Sequence, residues 1–71
     1  MYDWEEAQEP DGKVVAKLCD TQVLVYRAGE GAPQAWRWEA QFAVGQIQSG
    51  YAEDPDEALE KGERVAERFL S

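Results

Sequence analysis

Fifteen carboxylates, one thiol and no imidazole define the chemistry open to this 71-residue chain. Without histidine there is no Ser-His-Asp triad, no Cys-His pair and no His-based zinc site. One cysteine, Cys19, closes no intrachain disulfide and supplies no thiolate cluster for a metal. Lys17 alone is a weak inducement to ionise that thiol, so Cys19 reads as a half-buried structural residue. Carboxylates do acid–base work when burial raises their pKa. Here they fall on a polar arm and on the solvated face of a helix, where no such burial is expected.

Three short segments resemble pieces of ligand sites. Glu53-Asp54-Pro55-Asp56-Glu57 is dense in oxygen donors but lacks the alternating spacing and central glycine of a calcium loop. Helix capping explains it better. Gly29-Glu30-Gly31 lacks the Gly-Lys-Ser/Thr that completes a phosphate loop and reads as a hairpin loop. Trp36-Arg37-Trp38 could stack single-stranded bases, yet the alternation around it places the indoles in a core. No catalytic residue, metal ligand or cofactor is assigned, and the expectation is a non-enzymatic protein.

Charge is the remaining signal. Acids outnumber bases 15 to 7, for a net charge of −8. Residues 1–12 hold Asp3, Glu5, Glu6, Glu9 and Asp11 with no base, and residues 53–71 hold seven acids and three bases, around a nearly neutral middle. This distribution repels nucleic acid and anionic membrane and attracts basic surfaces. The acidic start, broken by charge, is unlike a secretory signal, and no apolar run is long enough to span a bilayer. The expected location is cytoplasmic, with Cys19 reduced.

The elements that must present these charges follow from periodicity. Residues 1–12 read as an acidic arm bearing Tyr2 and Trp4 and ending in the turn signal Pro10-Asp11-Gly12; residues 13–71 read as one domain. Lys13–Cys19 is ambiguous, Gln22–Arg27 is a strand, and the two are either one bent strand or a pair turned at Asp20-Thr21. In 35–44, Trp36, Trp38, Ala40, Phe42 and Val44 share one face. A two-residue turn at Val44-Gly45 would pair Phe42 with Ile47, Ala40 with Ser49 and Trp38 with Tyr51, adding Ile47 and Tyr51 to that face. Asp54, Pro55 and Glu57 open a helix over about 55–70 with Ala58, Leu59, Gly62, Val65, Ala66, Phe69 and Leu70 as its apolar stripe. Gly62 within that stripe predicts close approach to Trp36 or Trp38. The expected fold is α+β: an antiparallel sheet of three or four strands with the C-terminal helix on one face. Strand 22–28 carries apolar groups on both faces, which predicts a covering partner for one of them: the arm, or a second copy of the chain.

The run Gly50-Tyr51-Ala52, then Asp54-Pro-Asp-Glu-Ala58 with Gly62 and Ala66, resembles the strand-then-helix end of HicB-like antitoxins and double-stranded-RNA-binding domains. The lysine-rich helix start that holds RNA in those domains is replaced by Asp54, Asp56 and Glu57, so direct nucleic-acid binding is not implied. In size, acidity and lack of catalytic groups the chain is similar to phage-encoded inhibitors such as the anti-CRISPR proteins. That resemblance implies a partner with a basic nucleic-acid channel, contacted by Asp3, Glu5, Glu6 and Glu9 on the arm and Glu57, Glu60, Glu63 and Glu67 on the helix. The alternative is a small assembly protein that dimerises through an exposed strand at 22–28.

Overall fold

The computed structural model describes residues 2–70. Five strands, β1 (Glu5–Gln8), β2 (Val14–Leu18), β3 (Thr21–Arg27), β4 (Trp36–Gln41) and β5 (Ile47–Ala52), form one antiparallel sheet in chain order, followed by helix α1 (Pro55–Leu70). The fold is α+β as expected, with five strands rather than three or four. The additional strand comes from the arm: Glu5–Gln8 pairs with β2 through Glu5↔Lys17 to Gln8↔Val14. Residues 13–28 are two strands, turned at Cys19-Asp20, with Cys19 in the left-handed region at φ 54°. That conformation belongs to the mirror-image turns that match the twist of a hairpin.

One face of the sheet meets α1. Ala16, Val23, Val25, Trp38, Ala40, Phe42 and Ala52 are buried there against Ala58 and Ala66. The expected aromatic layer is therefore only partly present. Trp38 and Phe42 are core, and Trp36 is half-buried at the margin with Arg27 over its ring at 5.5 Å. Ile47 and Tyr51 lie on the opposite face, because the β4–β5 register differs by one residue from the expected one. Trp38 pairs with Gly50 and Ala40 with Gln48.

The turn explains the slip. Phe42 N–H donates to Gln46 O (3.0 Å), Gly45 N–H donates to Phe42 O (2.9 Å), and Gly45 has φ 87°. The connection is a three-residue loop closed by a left-handed glycine rather than a two-residue turn. A slip of one residue sends every side chain of β5 to the other face. The β1–β2 hairpin has the same construction, with Glu9, Lys13 and Gly12 in the matching places.

Helix α1 begins as expected: Glu57 N–H donates to Asp54 Oδ1 (2.8 Å) and Ala58 N–H to Asp54 O (3.0 Å). Its glycine, Gly62, packs directly on Val23, with Trp38 slightly further away. The tight approach is as anticipated, but the nearer partner is a valine. Among the described residues, no helix is long and apolar enough to cross a membrane.

Candidate functional site

Alternation along the first strand fixes the site. Glu6 pairs with buried Ala16, so Trp4, Glu6 and Gln8 point toward the helix side, while Glu5 and Ala7 share the outer face with Lys17 and Val15. The flank of α1 beside β1 carries Glu63 and Glu67. Trp4 Nε1 donates to Glu67 Oε2 (2.7 Å), and the Glu63 carboxyl faces Glu6. The arm is thus docked by one of its aromatics, on the helix side of the sheet.

Glu63 is the one carboxyl that departs from the solvated behaviour expected of these acids. Burial pushes its pKa up to about 8, helped by the neighbouring Glu6 carboxyl and by the negative fields of Glu67 and Glu60. Its Oε2 is buried with no hydrogen-bond partner among the described residues. Two carboxyls in contact hold a proton more tightly than either alone, since ionising both would place like charges side by side.

The eight acids singled out from sequence fall into three groups. Glu6, Glu63 and Glu67 meet at the seam between β1 and α1. Asp3, Glu5 and Glu9 are exposed along the arm and strand. Glu57 and Glu60 lie away from both, in i,i+4 ion pairs with Lys61 (3.0 Å) and Arg64 (2.5 Å). The helix row is therefore balanced by bases at its N-terminal half, and the concentration of acids is at the sheet margin.

Sequence reasoning singled out Trp4 but missed the strand that follows it, Glu5–Gln8. The signal was present: Trp4, Glu6 and Gln8 alternate with Glu5 and Ala7 directly before a turn. The helix-forming residues Glu5, Glu6, Ala7 and Gln8 obscure it.

Two other readings are corrected. Cys19 is exposed rather than half-buried, held at the tip of the β2–β3 turn. Strand 22–28 is not an available edge, because β3 pairs with β2 on one side and β4 on the other. Its outer residues are covered in part by a polar network. Tyr26 Oη donates to Glu39, and Arg37 donates through Nε to Tyr26 Oη (3.0 Å) and through Nη2 to Ser49 Oγ (2.9 Å). Arg37 also lies over the Tyr51 ring at 5.1 Å. Burial and the bond to Glu39 raise the Tyr26 pKa, with Arg37 acting in the opposite direction. Arg37 and the two indoles are on opposite faces, and Trp38 is buried, so Trp36-Arg37-Trp38 forms no stacking platform.

Among the described residues, no three acidic or thiol side chains converge to hold a metal ion. No family model matches the chain, and comparison with curated proteins and with solved structures finds no significant match.

Proposed function

We propose that this protein is a non-enzymatic interaction module that engages a basic protein surface through the acidic margin formed by β1 and the adjoining flank of α1. The segregation of charge supports the reading: no base occurs in residues 1–12, and Glu6, Glu63 and Glu67 adjoin the same margin. The helix acids outside it, Glu57 and Glu60, are paired with bases. A surface of one sign speeds encounter with the opposite sign and sets orientation. The partner class that fits is a basic channel or groove of a nucleic-acid-binding protein, as for the small acidic inhibitors the chain resembles. Poly-L-lysine is a suitable first probe. The double variant Glu5→Lys/Glu9→Lys is expected to slow its association more than Glu30→Lys/Glu53→Lys, which changes net charge equally elsewhere. Equal slowing by both pairs refutes the reading.

A second reading, a homodimer, is supported by the uncovered outer face of the sheet and its exposed Ile47, with Val44 exposed in the adjoining loop. A dimer whose sedimentation is insensitive to salt favours this reading over the first.

A further inference from the structure

Resting on the acidic-surface reading, we propose that β1 accepts a sixth strand: an extended, lysine- or arginine-bearing segment of a partner protein, paired along its open backbone edge.

The sheet runs β1-β2-β3-β4-β5, so its edges are β1 and β5. The ladder shows which groups each edge presents. Glu9 N–H donates to Lys13 O (2.7 Å), making that pair a hydrogen-bonded one. The alternation of an antiparallel ladder then makes Ala7–Val15 and Glu5–Lys17 the next bonded pairs. The N–H and C=O groups of Glu6 and Gln8 consequently point away from β2, toward the open side. The same reasoning applied to β5, from Phe42 N–H on Gln46 O, turns the Tyr51 carbonyl outward. There Lys61 Nζ donates to it (3.4 Å), so the helix covers part of that edge with a positive charge. The two edges therefore differ in kind: β5 is partly capped by a cation, and β1 is bordered by anions.

Charge selects the occupant. A second copy paired antiparallel on β1 about Ala7 would set the Glu5 of each copy against the Glu9 of the other, and like charges facing across a ladder are destabilising. This is how natural sheets prevent edge-to-edge self-association. A basic strand meets the opposite condition on both of its faces. Its outer side chains would lie beside Glu5 and Glu9, next to a groove over Ala7, Val15 and Leu24 that takes the aliphatic stems of lysine or arginine; Lys17, opposite Glu5, also lines this groove, so the basic side chains are placed toward its Glu9 end. Its inner side chains would approach the Glu6–Glu63 pair, where a cation pairs with the shared negative charge and favours release of the proton that Glu63 holds. The groups facing Glu63 are Glu6 from β1 and Glu60 and Glu67 from its own helix, all acidic. Main-chain bonds supply register-specific affinity, and alternate side chains supply selectivity.

The probe is a synthetic peptide of alternating lysine and threonine, compared with the same peptide N-methylated on the edge that would face β1. Binding is followed by titration and by hydrogen exchange of the backbone amides at low salt. The expected result is binding of the unmethylated peptide, protection of the Glu6 and Gln8 amides, and roughly tenfold weaker binding after methylation, which removes two or so main-chain bonds. Gln8→Pro should weaken binding similarly, since it deletes an outward N–H and leaves the ladder to β2 intact. Equal affinity for both peptides, with no new protection at Glu6 and Gln8, overturns the strand edge while leaving the acidic-surface reading in place. No binding of either peptide overturns both. The methylated peptide keeps the test decisive if Gln8→Pro does not fold.

Discussion

The indole of Trp38 fills the space that a side chain at position 50 would occupy. A Cβ on Gly50 would lie 2.8–2.9 Å from Cζ2, Cε2 and Nε1 of Trp38, its cross-strand partner. The β4–β5 register and the position of the largest core side chain are therefore one decision. Gly50→Ala is expected to destabilise the fold by about 1–3 kcal/mol through overpacking, measured as a lower urea midpoint at unchanged slope.

Gly62 makes the opposite prediction from helix propensity. Alanine there gains about 1 kcal/mol in an isolated helix. In this protein the added methyl group would overlap Val23 Cγ1. Gly62→Ala should lower stability by about 1–3 kcal/mol. In a Val23→Ala background the same change should cost less, because the obstructing methyl group is gone. A double-mutant cycle measures that coupling; additive effects would show that the helix moves away instead.

Glu63 should make stability fall with rising pH. Its pKa is about 8 in the folded protein against 4.5 for an ordinary glutamate, so the folded state binds the proton more tightly than the unfolded one. The contribution is complete below about 4.5 and is lost as pH climbs through about 8. Glu63→Gln should flatten this slope and leave the protein more stable than wild type in mild alkali. Glu6→Gln should act in the same direction. Thermal midpoints across that window check both.

Cys19 sits at φ 54°, where side chains with a Cβ carry a steric penalty. Cys19→Gly should raise stability by about 0.5–1 kcal/mol, the relief being partly offset by the greater freedom of glycine in the unfolded chain. Because Cys19 is exposed, no core contact is lost with it. A fall in stability would mean that the thiol makes a contribution of its own.

Legibility from sequence tracked how local each determinant is. The helix was readable to its cap because Asp54, Pro55 and Glu57 act within one turn. The alternation of Trp36, Trp38 and Ala40 gave the correct inner face of β4. The β5 face was misread because Val44-Gly45 fits a two-residue turn as well as a three-residue one by composition. Only the bond from Phe42 to Gln46 and the fit of Trp38 over Gly50 separate them. The first strand was hidden by helix-forming residues whose partner, β2, was itself ambiguous. The eight acids were legible as acids, but that Glu63 holds its proton, and which of them meet, depends on β1 lying on the same side as the flank of α1. That adjacency joins residues 63 apart in the case of Trp4 and Glu67.

Each strand is hydrogen-bonded only to strands that precede or follow it directly in the chain. Sheet formation can thus advance hairpin by hairpin, with short loops closing at little entropic expense. Such connectivity belongs with rapid folders rather than with the slow, distantly paired β proteins. The cover for that sheet comes from α1, packed on Val23 and Trp38, and without it the apolar face of a five-stranded meander would stand open to solvent.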